Sequence, residues 1–133
     1  MKKVLVLMGS ESDRATMETA LPILRDAGVE IQVEVSSAHR QPDRTAELAR
    51  SAESAGFGVL ICAAGLSAAL PGVVAAHTRL PVIGVPLSAA LGGLDALLSI
   101  VQMPAGVPVA CVGIDNARNA AHLALRILQL AES

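Results

Sequence analysis

The sequence predicts an α/β protein: a three-layer α/β/α sandwich around a parallel five-stranded sheet. Three observations predict it. Short β-branched runs alternate along the chain with Ala- and Leu-rich amphipathic segments. The run GVLICAA (58–64) is continuously apolar, as a strand covered on both faces must be. The chain has 133 residues and is 53% hydrophobic, which lets residues 1–133 bury one core as one domain.

The elements follow in order. KVLVLM (3–8) reads as a strand. DRATMETALPILRDAG (13–28) reads as a helix with an acidic first turn and a Gly stop. EIQVEVS (30–36) alternates with period two, the pattern of an edge or near-edge strand. PDRTAELARSAESAG (42–56) is a helix with Pro at its start and Gly past its end. After the strand at 58–64, LPGVVAAHT (70–78) is a short helix and PVIGVPL (81–87) a strand. LDALLSIVQ (94–102) is a helix, PVACVGI (108–114) the fifth strand and NARNAAHLALRILQLAE (116–132) a closing helix. Strands joined by crossover helices give a flavodoxin-like arrangement. No repeat, linker or low-complexity tract interrupts it.

Composition excludes several functions. The net charge is −2, and there is one Phe with no Trp or Tyr. Base stacking on aromatic rings and a basic phosphate track are both missing, which argues against nucleic-acid binding. The apolar stretches are too short for a bilayer, and the apolar run after Lys2-Lys3 lacks the cleavage site of a signal peptide. Cys62 and Cys111 lie in apolar runs with no metal or redox spacing, so both read as buried free thiols of a reducing cytoplasm. A core so poor in aromatics must be aliphatic. The few charges (17%) point to apolar area buried between subunits.

Parallel α/β sheets place ligands outside the carboxyl ends of their strands, so the loops there carry the functional reading. MGSESD (8–13) has a Gly for a tight turn and two serines, Ser10 and Ser12, before a helix start. That is an anion cradle, or simply a helix capped by Ser12 or Asp13. Asp13 can accept from ribose hydroxyls. The loop is neither a Walker loop nor a dinucleotide fingerprint. SSAHRQPD (36–43) places Arg40, a planar multidentate cation, beside His39, a proton carrier near neutral pH. AGLSAALPG (64–72) is small and apolar and can close over a ligand through its backbone amides, or serve close helix–sheet packing. His77 and His122 fall on helices among alanines and read as structural. Cys62 has no neighbouring base that would make it a nucleophile.

Taken together, MGSESD, SSAHRQPDR, LPGVVAAHT with LPVIGVP, GLDALLSIVQMP with GVPVA, and NAAHLAL resemble the N5-carboxyaminoimidazole ribonucleotide mutase / aminoimidazole ribonucleotide carboxylase family of purine biosynthesis. The resemblance runs from about Val4 to Leu128, in the same order. It implies that His39 is the general acid/base and that Ser10, Asp13 and Arg40 bind substrate. Ser37 resembles a phosphate contact, and Ser12, Ala38, Gly65, Leu66 and Ser67 fall along the same substrate path. It implies a ribonucleotide substrate, carbon dioxide held in a small apolar pocket, and no metal, biotin or nucleotide cofactor. It also implies that the segment Gln102 to Pro104 helps close the pocket, and that the subunits form a homo-octamer in the cytoplasm.

One loop departs from the family. Bacterial mutases carry GGAAHLPG where this chain has GLSAALPG, so Leu66 replaces a Gly and Ala69 a His. Ser67 resembles a Ser of the carboxylases that fix free carbon dioxide. Gln41 stands where Thr is usual. The remaining motifs are similar to the mutase side. The implied activity is the mutase, with the direct carboxylase as the alternative. Both yield 4-carboxy-5-aminoimidazole ribonucleotide. A non-catalytic flavodoxin-like binding module is a further alternative, and a relative acting on a different nucleotide ring is disfavoured by the chain's length.

Overall fold

The computed structural model describes residues 1–132. Its sheet comprises β1 (Lys3–Met8), β2 (Ile31–Val35), β3 (Phe57–Ala64), β4 (Val82–Pro86) and β5 (Ala110–Cys111). All pairings are parallel, in the order β2-β1-β3-β4-β5. This is the flavodoxin-like order, with its switch point between β1 and β3. The period-two strand β2 lies at an edge, and the apolar β1, β3 and β4 are central.

Among the described residues, six α-helices cover the sheet: α1 (Arg14–Met17), α2 (Leu21–Asp26), α3 (Pro42–Ser51), α4 (Leu70–His77), α5 (Leu94–Val101) and α6 (Ala117–Glu132). Alternation along β1 sends Val4, Val6 and Met8 to one face, against Met17, Leu24 and the alanines of α6. Leu5 and Leu7 face the other side, against Ala49 of α3, Val74 of α4 and Ile100 of α5. Alanine lets the layers approach closely: Ala117, Ala120, Ala121 and Ala124 are fully buried. Gly84 does the same on β4, where a Cβ would lie 2.5 Å from Ile100 Cγ2.

Three elements differ from the sequence expectation. The helix predicted over 13–28 is broken into α1 and α2, flanked by 3₁₀ turns at Glu11–Asp13 and Glu18–Ala20. Pro22 lacks an N–H and its ring crowds the carbonyl four residues back. The Thr19 hydroxyl also donates to the Thr16 carbonyl at 2.7 Å, competing with the helical ladder. The fifth strand shrinks from the predicted 108–114 to two residues. Pro108 cannot donate, and Pro86 ends the facing strand, so the ladder has few partners. The helix predicted over 42–56 stops at Ser51, where the Ser51 and Ser54 hydroxyls take over backbone acceptors. Among the described residues, no helix is long and apolar enough to cross a membrane.

Candidate active site

The carboxyl ends of β1 to β4 surround a cavity of about 580 Å³. All ten residues singled out from the sequence lie along it: Ser10, Ser12 and Asp13 after β1; Ser37, Ala38, His39 and Arg40 after β2; Gly65, Leu66 and Ser67 after β3.

The first loop is built by Ser10. Its backbone is extended (φ −153°, ψ 150°), and its Oγ accepts from the Ser12 backbone N–H at 3.3 Å and lies 3.0 Å from Ser12 Oγ. The cap is therefore Ser10, not Ser12 or Asp13, because the helical region begins a turn earlier in tight 3₁₀ form. The Asp13 N–H donates to the Ser10 carbonyl at 3.1 Å. Partial burial pushes the Asp13 carboxyl above the ordinary aspartate value, against the opposing hydrogen bond of the Ser10 backbone. Arg14 is spent on Glu11, at 2.7 and 2.9 Å. Arg40 is thus the only Lys or Arg among the described residues that line the cavity.

The second loop turns sharply. Ser37 Oγ accepts from the Arg40 N–H at 3.1 Å, and the Ser37 carbonyl accepts from the Gln41 N–H at 2.8 Å. Those bonds wind the backbone so that His39 and Arg40 stand exposed at the cavity before Pro42 starts α3. The third loop supplies the apolar wall. Ser67 holds a left-handed φ of 52°, a conformation that non-glycine residues seldom adopt. Leu66 beside it is 69% exposed at the cavity rim.

Sequence reasoning missed the fourth loop, where Leu87, Ser88 and Ala89 line the cavity. Ser88 and Ala89 are small and Leu87 reads as the end of the apolar strand; only their place after that strand marked them. Ser88 is held from across the sheet end by Asp115. The Ser88 N–H donates to Asp115 Oδ1 at 2.9 Å and the Ser88 hydroxyl to Oδ2 at 2.6 Å. Asp115 itself has φ 59°, and its N–H donates to the Pro86 carbonyl at 2.8 Å. The Asp115-Asn116 pair is the sequence signal for such a turn.

Other expectations fall elsewhere. Gln102 to Pro104 do not line the cavity of this chain. Met103 packs on α4 instead, where a Cβ at Gly72 would meet its sulfur at 3.2 Å. His77 and His122 lie on α4 and α6, away from the site. Cys62 is fully buried and its thiol is pushed far up by that burial; Cys111 is only half-buried, with its thiol also raised. Among the described residues, no three of His, Cys, Asp and Glu come together as a metal site.

The arrangement has three chemical zones. Hydroxyls, backbone amides and the Arg40 guanidinium suit a phosphate. The half-buried Asp13 carboxylate suits sugar hydroxyls. The His39 imidazole faces the same cavity as the small apolar wall of the third loop.

Known proteins resemble this chain over nearly its whole length. A curated relative from Pyrococcus abyssi, N5-carboxyaminoimidazole ribonucleotide mutase, is 57% identical over 131 residues, covering 98% of this chain and 75% of that protein. The Thermotoga maritima protein of the same name is 53% identical over 129 residues, covering 96% of this chain and 75% of its own. The crystal structure of Treponema denticola PurE superposes with a TM-score of 0.85 at 32% identity, over 96% of this chain and 80% of that one. The AIR carboxylase family model matches residues 3–133, and the chain belongs to that family.

Proposed function

We propose that this protein is an N5-carboxyaminoimidazole ribonucleotide mutase, forming 4-carboxy-5-aminoimidazole ribonucleotide in purine biosynthesis. The observation that carries the reading is the convergence of His39, Arg40, Ser37 and Asp13 on one cavity at the switch-point end of the sheet. Relatives bearing the mutase name at more than half identity support it.

In this reading Arg40, Ser37 and the serines of the first loop hold the ribonucleotide phosphate, and Asp13 accepts from the ribose. The N–C bond of the substrate carbamate breaks, leaving carbon dioxide and the free amine. The imidazole ring then forms a bond from C4 to that carbon dioxide and gives up its C4 proton. His39 carries protons between the ring carbon and the exocyclic nitrogen, so the charges balance across the two half-reactions. Gly65, Leu66, Ala69 and Leu70 give the freed carbon dioxide an apolar surface to rest against.

The alternative is direct carboxylation of the free amine. The observation favouring it is the third loop, whose Leu66 and Ser67 both line the cavity. We also read the protein as a cytoplasmic homo-octamer. Leu91, Leu94, Leu98 and Val101 form an exposed apolar stripe along and just before α5, at least half exposed at each position, which supports burial against another copy. The acid/base assignment is tested by His39→Asn. Turnover is expected to fall at least about a hundredfold, the usual size of general acid–base catalysis, while product affinity is retained. Surviving turnover removes His39 from the mechanism.

A further inference from the structure

Ser36 and Thr45 are the two buried polar residues among those described, both with no exposed surface. They sit directly behind the turn that carries His39. Ser36 directly follows β2 and is tied to β1, its N–H donating to the Met8 carbonyl at 2.9 Å. Thr45 lies in the first turn of α3, where its neighbour Ala46 and then Ala49 present the apolar surface that a sheet-packed helix normally offers. A hydroxyl there is unfavourable unless it is fully bonded. A valine would fill the same space with no such requirement.

The bonds account for every proton. Thr45 Oγ1 donates to the Ser37 carbonyl at 3.3 Å. A carbonyl can only accept, so the single Thr45 proton is committed. The 2.7 Å contact between Ser36 Oγ and Thr45 Oγ1 is then a bond donated by Ser36. The Ser37 carbonyl also accepts from the Gln41 N–H at 2.8 Å, and Gln41 in turn accepts from the Thr45 N–H at 3.0 Å. The peptide entering Ala38-His39-Arg40 is thus held at one atom by two donors from the α3 end. Next to Thr45, Arg44 reaches back to the Val35 carbonyl and pairs with Glu34 at 2.7 Å. The first turn of α3 is stapled to the end of β2 on both sides of the turn.

Resting on the reading that His39 transfers the proton, we propose that Thr45 is a positioning residue that sets the 37–40 turn through the Ser36–Thr45–Ser37 hydroxyl chain. It touches no substrate. It acts by fixing the carbonyl from which the His39 and Arg40 backbone departs.

The test compares Thr45→Val, Thr45→Ser and His39→Asn in the full chain. It measures kcat and KM with the carbamate substrate well below the melting midpoint, together with far-UV circular dichroism and thermal melting. Thr45→Val is expected to lower kcat/KM about tenfold in a folded protein, since small misplacements of a reacting group carry losses of this order. Thr45→Ser, which keeps the hydroxyl, is expected to stay within about twofold of the parent. A lower melting midpoint for Thr45→Val with unchanged kcat/KM would make Thr45 merely structural and overturn the proposal. Equal losses in Ser and Val would overturn it too. If Thr45→Val does not fold, Ser36→Ala carries the test: it removes the donor and leaves the Thr45–Ser37 bond. A loss of about threefold is expected, and none would refute the chain. His39→Asn separates the two claims. Full turnover there defeats the acid/base reading itself, whereas an inert His39→Asn beside a fully active Thr45→Val defeats Thr45 alone.

Discussion

Asp115 holds one wall of the cavity without lining it, so its removal has a calculable effect. Its carboxylate accepts two bonds from Ser88, at 2.9 and 2.6 Å, while its own backbone sits at φ 59°. Bonds to a charged acceptor contribute about 1.5–3 kcal/mol each when shielded and nearer 1 at an exposed site such as this, so the pair is worth about 2 kcal/mol. The left-handed backbone adds about 1 kcal/mol of strain once Asp is replaced by a residue that cannot bond locally. Asp115→Ala loses both contributions and is expected to destabilise by about 2–3 kcal/mol. Asp115→Gly loses the bonds but adopts the turn freely, for about 1–2 kcal/mol. Asp115→Asn keeps one acceptor and tolerates the conformation, for about 1 kcal/mol. The chain has no Trp or Tyr, so the assay is urea unfolding by circular dichroism, at one fixed protomer concentration because association shifts apparent stability. The predicted order of loss is Ala, then Gly, then Asn. Ala and Gly indistinguishable would refute the backbone contribution. All three within about 0.5 kcal/mol of the parent, the usual surface range, would refute the clamp.

Two further outcomes follow from burial. Asp13 has its folded pKa raised above the ordinary 3.8 by burial, so its ionised form weakens the fold at neutral pH, and this penalty is relieved as pH falls through the raised folded value. Asp13→Asn is therefore expected to raise the melting midpoint at pH 7, to lose that gain as pH falls toward 3.8, and to bind the ribonucleotide more weakly. A lower midpoint at neutral pH would contradict the assignment. Cys62 is fully buried and its thiol is strongly disfavoured as thiolate, whereas Cys111 is half-buried; a thiol reagent should modify Cys111 slowly and Cys62 only on unfolding, and rapid labelling of both in the native protein would refute the packing.

The central strands were legible because burial on both faces leaves one signature, an unbroken apolar run, and β1, β3 and β4 carry it. Helix continuity was not. Pro22 sits in the middle of an amphipathic pattern, and the apolar periodicity survives on both sides of a break that the backbone cannot avoid. The fifth strand failed for a related reason: its apolar residues are real, but Pro108 and the facing Pro86 remove the donors a ladder needs. Three loops of the candidate site could be read because they concentrate hydroxyls, His39 and Arg40 where strands end. The fourth could not, since Ser88 and Ala89 resemble ordinary linker residues until Asp115 is brought across the sheet to hold them. Ser36 and Thr45 were equally hidden. In the sequence they are two more small polar residues in a polar stretch, and only folding shows that they are the buried polar side chains among the described residues.

A mutase moves a carboxyl group within one substrate, without drawing on free bicarbonate. The measurement that tests this activity most directly is a pair of product assays on the purified protein. One supplies freshly made N5-carboxyaminoimidazole ribonucleotide with bicarbonate removed. The other supplies aminoimidazole ribonucleotide with excess bicarbonate. Rapid formation of 4-carboxy-5-aminoimidazole ribonucleotide is expected in the first and slow turnover in the second. Fast product from the free amine, with little from the carbamate, would contradict the mutase reading and make the Leu66–Ser67 loop the mark of a direct carboxylase.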